Sequence, residues 1–177
     1  GSSSLKFQLY DLKQYYLKPA ELLEHLNDRL EQFFSSTGND YFVTAVYGVL
    51  HLDDVTFCYS NAGHSYPYLC SQDGIVALEN EYGLPLGILS GMGYEQHEVT
   101  LTLGQELFLY TDGIFEIELR GKEARSCSSL QDFFAEDAEP ATIKEMRELQ
   151  QEIYRYTATH QIADDINYIA IRLHEEE

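Results

Sequence analysis

Residues 41–60 read YFVTAVYGVLHLDDVTFCYS. β-Branched and aromatic residues crowd both ends, and Asp53-Asp54 interrupts them. Such side chains suit a half-buried pleated surface, whereas adjacent aspartates favour a turn. The stretch therefore predicts a hairpin of two strands, 41–50 and 55–60. The next fifty residues repeat the pattern. Residues 65–70 and 75–78 flank Gln72-Asp73-Gly74 and read as a second hairpin; residues 95–101 and 106–110 flank Leu103-Gly104-Gln105 and read as a third. Upstream, Pro19 suits a first helical turn, and Leu22, Leu23, Leu26, Leu30, Phe33 and Phe34 recur at a helical period until Gly38-Asn39. Residues 5–17 carry both strand and helix periods and read as helix. Downstream, residues 119–140 read as a polar surface excursion. Residues 141–156 form a second amphipathic helix, with Ile143, Met146, Leu149 and Ile153 on one face, and residues 166–173 a last apolar strand. Helix, antiparallel strands, helix, strand, with no βαβ alternation and no repeat, is an α+β order.

Composition bounds the function. A chain of 177 residues fits one domain. It is assigned to residues 5–177, with residues 1–4 (GSSS) read as a cloning remnant. The 44% hydrophobic and 23% charged content is that of a folded chain and excludes a disordered one. Against 11 Lys+Arg stand 30 Asp+Glu, a net charge of −19. A phosphate backbone or an anionic membrane is repelled by such a surface, so nucleic acid is excluded as a partner and a cation is favoured. No run of about 18 apolar residues exists to insert into a membrane. Cys58, Cys70 and Cys127 form no CxxC pair, which reads as reduced thiols in a cytoplasmic protein without a zinc site.

Three short motifs can carry chemistry. In LFLYTDG, residues 107–113, an apolar strand runs into Asp112-Gly113, which is either a metal-ligating carboxylate on a rigid strand end or an ordinary Asp-Gly turn. In Ala163-Asp164-Asp165 two carboxylates repel unless a cation relieves them; hard oxygens of this kind suit Mg²⁺ or Mn²⁺, and the alternative is a solvated loop. Asn61-Ala62-Gly63-His64 follows a strand and either lines a site or closes its own turn. The glycine-spaced GLPLG at 83–87 is a covering loop or a plain one.

Taken in order, YFVTAVYGVL, FCYSNAGHSYPYL, GLPLGIL, LFLYTDGIFE and ADDINYIAIRL resemble the bacterial SpoIIE/RsbU-type serine phosphatases of the metal-dependent PPM (type 2C) superfamily. PAELLEHLN, at 19–27, resembles the helix ahead of that family's first hairpin. The resemblance covers residues 19–173. It implies an antiparallel β-sandwich flanked by helices, and a phosphoric monoester hydrolase acting on phosphoserine or phosphothreonine. The expected substrate is a phosphorylated anti-sigma-factor antagonist protein. It implies a two-ion Mn²⁺ or Mg²⁺ site, with a metal-bound water rather than a side chain as nucleophile. Asp112 and Asp164 match the family's metal-binding aspartates. Gly113 and Asp165 stand beside them as further ligands or supports, and Asn61, Gly63 and His64 as a site-lining loop.

The family's upstream motifs, Gly-Asp-x-x-Asp and Asp-x-x-Gly-His-Gly, are absent from these 177 residues. The reading is therefore of a phosphatase domain truncated at the N-terminus, impaired by itself, whose uncovered strands at 41–50 or 166–173 pair into a homodimer. The alternative is a phosphatase-like binding or dimerisation module without catalysis. The chain is expected in the cytoplasm, alone or as the output domain of a longer, even membrane-bound, sensor. If Asp112 and Asp164 share a cation, the strands ending and beginning beside them must be neighbours, and their apolar sequences suit central strands.

Overall fold

Pro19 opens the first helix at the position where its missing N–H costs nothing, and Gly38, at φ 67°, closes it by donating its N–H to the Phe34 and Ser35 carbonyls. This helix, α1 (Pro19–Thr37), is followed by β1 (Ala45–His51), β2 (Thr56–Ala62), β3 (Tyr68–Ser71), β4 (Gly74–Ala77), β5 (His97–Thr100), β6 (Glu106–Tyr110), β7 (Glu118–Leu119), β8 (Lys122–Glu123), α2 (Leu130–Phe134), α3 (Ile143–Thr159) and β9 (Tyr168–Arg172). The structure, a computed structural model, describes residues 12–38, 40–79, 83–119, 122–123, 129–135, 140–161 and 165–173. Most of the expected helix at 5–17 lies outside these; its described end is a 3₁₀ turn at Lys13–Tyr15. No helix among the described residues is long and apolar enough to cross a membrane. The chain divides into two compact units, residues 1–64 with 80–100 and residues 65–79 with 101–177.

The first unit holds a three-stranded antiparallel sheet in the order β1-β2-β5. The hairpin expected at 41–60 is present, its register running from His51↔Thr56 to Ala45↔Ala62. The apolar stripe of α1 buries Leu22, Leu23, Leu26 and Leu30 with Leu12, Ala62, Leu86 and Tyr94. Phe33 falls off that stripe and is exposed. A second, polar stripe of α1 fastens residues 87–94. The Gly87 N–H donates to Asn27 Oδ1 (2.9 Å), Gly91 N–H to Asp28 Oδ1 (2.8 Å) and Tyr94 N–H to Glu24 Oε1 (3.3 Å), while Asn27 Nδ2 donates to the Leu89 carbonyl (2.8 Å). Asn27 is buried and every polar atom of its amide is satisfied, which is what burial of an amide requires.

The second unit holds a four-stranded antiparallel sheet in the order β4-β3-β6-β9. The second hairpin is as expected, with Ser71↔Gly74 at its turn. The third is not. β5 pairs with β2, and β6 pairs with β3 and β9. The turn itself forms, the Gln105 N–H donating to the Thr102 carbonyl and the Thr102 N–H to Gln105 Oε1. It passes the chain from one sheet to the other because the flanking strands have different needs. β5 buries neither face fully, whereas Leu107 and Phe108 on β6 are wholly buried and need a neighbour on each side. β9, expected as a central strand, lies at the edge among the described strands and leaves Ile169 exposed.

Helix α3 covers this sheet with Ile143, Met146, Leu149 and Ile153, the four residues expected on its buried face. A capping box of Thr142 and Glu145 sets its start; the Thr142 hydrogen bonds hold the Glu145 carboxyl below its ordinary range. Part of the 119–140 stretch is core rather than surface. Leu130, Phe133 and Phe134 of α2 pack with Tyr68, Phe108 and Tyr110, which the polar composition of their neighbours conceals.

Candidate functional site

β6 ends on the buried Tyr110, so the chain leaves the sheet at a fixed point, Thr111. Asp112 then opens a 3₁₀ turn, Asp112–Glu116, whose next three residues, Gly113, Ile114 and Phe115, are buried while Asp112 itself is exposed. Tyr110 pairs with Tyr168, so the residues before β9 arrive beside the residues after β6. Thr111 clamps them. Its N–H donates to the Asn167 carbonyl (2.9 Å), its hydroxyl donates to the Asp165 carbonyl (3.0 Å), and that hydroxyl accepts from the Asn167 N–H (3.0 Å). Gly113 closes the contact. A Cβ there would stand 2.5 Å from the Asp165 carbonyl oxygen and 3.1 Å from its carbon. The glycine is present because another backbone passes against it, not because the turn demands an unusual φ.

The two acidic motifs are thus held together through their backbones, with the strands expected to be neighbours paired in the sheet. Asp112 and Asp165 are both exposed at this end of the sheet; Asp164 lies outside the described residues. Hard carboxylate oxygens of this kind fit a divalent cation. Among the described residues no three His, Cys, Asp or Glu side chains gather as a metal cage. Thr111 and Asn167 have no role that the sequence alone reveals. The signal for Thr111 is its place: a hydroxyl at a buried strand end can donate and accept at once.

The Asn61–His64 turn, in the first unit, spends the Asn61 amide on itself. Asn61 Nδ2 donates to the His64 carbonyl (2.9 Å) and the His64 N–H returns to Asn61 Oδ1 (2.8 Å). The Asn61 carbonyl accepts from the Gly83 N–H (2.9 Å), and a Cβ on Gly63 would strike Pro85. The 83–87 loop is likewise fastened, Val43 and Leu86 forming a bridge and Gly87 meeting Asn27. Neither described thiol is poised to react. Burial, with the Glu106 charge adding to it, pushes the Cys70 thiol up to about 12, and burial also raises Cys58.

The chain resembles several known proteins. Over 115 residues it is 30% identical to the phosphoserine phosphatase RsbU of Bacillus subtilis, a match covering 64% of this chain and 33% of that one. The crystal structure of the RsbU and RsbW domains of Rv1364c from Mycobacterium tuberculosis superposes with a TM-score of 0.61 at 25% identity, over 95% of this chain and 45% of that one. The SiaA-PP2C domain of Pseudomonas aeruginosa gives 0.60 at 16% identity, over 96% and 69%. The chain thus spans about a third of the curated relative, with 33% covered, and under half of the Rv1364c chain, with 45%. Residues 1–174 match the family described as Stage II sporulation protein E (SpoIIE), and the chain, built of helices and antiparallel sheets, belongs to that family.

Proposed function

We propose that this chain is the phosphatase domain of a bacterial partner-switching pathway, hydrolysing a phosphoserine or phosphothreonine ester on an anti-sigma-factor antagonist protein in the cytoplasm. Membership of the SpoIIE family supports this, as does the likeness to a relative named as a phosphoserine phosphatase and to a chain that joins RsbU and RsbW domains. The observation that carries it is the contact of Gly113 with the Asp165 carbonyl, which holds two carboxylate motifs at one end of the sheet. Asp112 and Asp164, with Asp165 beside them, are the residues that would hold Mn²⁺ or Mg²⁺. Bound there, such an ion supplies Lewis acidity toward a phosphate ester and lowers the pKa of water. Thr111 and Gly113 keep the carboxylate-bearing segments in register. Because these 177 residues carry no Gly-Asp-x-x-Asp motif, the chain by itself holds one ion weakly and turns over substrate negligibly.

The test is hydrolysis of p-nitrophenyl phosphate and of a phosphoserine protein with Mn²⁺, by the 177-residue chain and by a version carrying an upstream Gly-Asp-x-x-Asp segment. The extended version is active, and Asp112→Asn or Asp164→Asn lowers its rate by about a thousandfold, on the order of 4 kcal/mol. Retained activity in Asp112→Asn removes the assignment. β1 is an edge of its sheet among the described strands, with Tyr41 and Phe42 exposed ahead of it and Leu52 behind. We place the homodimer contact there. Light scattering of the chain at high concentration and moderate salt gives a dimer; a clean monomer rejects that contact.

A further inference from the structure

Three of the chain's 11 Lys+Arg line one groove of about 500 Å³ in the second unit, between α3 and β9. Arg147, Gln151, Tyr154 and Arg155 recur at helical spacing along a flank of α3 that its apolar face, Ile143, Met146, Leu149 and Ile153, does not use. Tyr168 and Arg172 of β9 form the opposite wall, and no Asp or Glu among the described residues lines the groove. Wholly buried beside it, Glu106 accepts from Arg172 and Gln150 and has Arg147 Nε at 3.7 Å. Two guanidiniums therefore share one carboxylate, and Arg155, bonded to the neutral Gln151, adds a third positive charge. Among the described residues, the groove's lining carries three guanidiniums and no carboxylate, with the one buried carboxylate beside it, so the lining itself is positive in a chain whose net charge is −19. Arg147 is 47% exposed at its side chain and Tyr154 72% exposed, so neither is spent on the core.

We propose that this groove docks an extended acidic segment of a partner protein. Guanidinium forks bind carboxylates in paired, directional hydrogen bonds, which makes arginine the residue for this task. The spacing sets the ligand. Arg147 and Arg155 are eight residues apart on a helix, about 12 Å at 1.5 Å per residue. An extended chain covers about 13 Å in four residues, so acidic residues four apart meet both arginines. Tyr154, next to Arg155 and exposed, takes an apolar side chain of the segment, as aromatic residues do at recognition surfaces. The overall negative charge weakens the long-range approach of such a segment, and salt weakens the contact further.

Fluorescence anisotropy of the 177-residue chain with a labelled peptide carrying two glutamates four residues apart around a leucine tests this without turnover, so its outcome is independent of the phosphatase reading. The peptide binds at low salt, its glutamine version does not, and Arg155→Glu weakens binding at least about tenfold. Arg155 is exposed, so its reversal leaves the fold intact, which far-UV circular dichroism confirms. Lys18→Glu makes the same charge change at an exposed residue that does not line the groove and changes affinity by less than about twofold. No binding of the glutamate peptide, equal binding of the glutamine peptide, or equal loss in Lys18→Glu overturns the proposal.

Discussion

Two polar turns leave two strands, and they spend their side chains differently. At Asn61–His64 the amide donates and accepts within the turn, and the backbone carbonyl is taken by Gly83. At Thr111–Gly113 the closing work falls to Thr111 and to the bare face of Gly113, and Asp112 is left at the surface. A side chain consumed by its own turn has no capacity for a ligand; a side chain whose neighbours do the closing keeps it. The contrast separates a turn closed by its own amide side chain from a turn whose carboxylate stays at the surface, though both look alike as short polar motifs after apolar strands.

The largest effect expected from breaking this contrast is at Gly113. Gly113→Ala drives a methyl into the Asp165 carbonyl, where backbone must move, and costs about 3 kcal/mol by denaturant unfolding. A cost under about 1 kcal/mol would mean that the two motifs are not held against each other. Asn61→Ala comes next. It strands buried turn groups and costs about 2 kcal/mol, while activity of the extended version per folded molecule stays unchanged. A loss of activity beyond the loss of folded protein would place Asn61 among the reacting groups and dissolve the contrast.

Alkali compares the two units at large. The Cys70 thiol, on β3 in the second unit, keeps its proton up to about 12, while in the unfolded chain it loses it near the ordinary value of about 9. Between these values the unfolded chain binds fewer protons than the folded one, so stability falls as pH rises and is unaffected below them. From pH 8 to 10 the loss from this group is about 1 kcal/mol. Cys70→Ala removes that part of the pH dependence, and Cys58→Ala, in the first unit, removes less. Equal effects would show the two thiols to be equally buried in solution.

Most of the elements are legible because their periods are. Pro19 with its leucines specifies α1, and Ile143 to Ile153 specify α3 down to the buried face. Pairing is legible only where a turn is short enough to dictate it, at 52–55 and 72–73. It fails at 102–105, where burial on both sides of Leu107 and Phe108 outweighs a well-formed turn. β9 reads as a central strand because Ile169, Ala170 and Ile171 are apolar; an exposed isoleucine at an edge looks the same in a sequence as a buried one. At the site, Asp112 can be read from its motif, but the reason for Gly113 cannot, because the backbone it touches is some fifty residues away.

The stripe of Glu24, Asn27 and Asp28 has a consequence for motion. Residues 87–94 have no strand ladder, yet the amides of Gly87, Gly91 and Tyr94 end on one helix. To exchange their hydrogens with solvent they must first let go of α1, and the Gly87 bond is buried. The loop therefore borrows the helix's clock: its slowest amide opens when α1 detaches rather than on the short timescale of an unfastened loop, and the two segments behave as one cooperative opening unit.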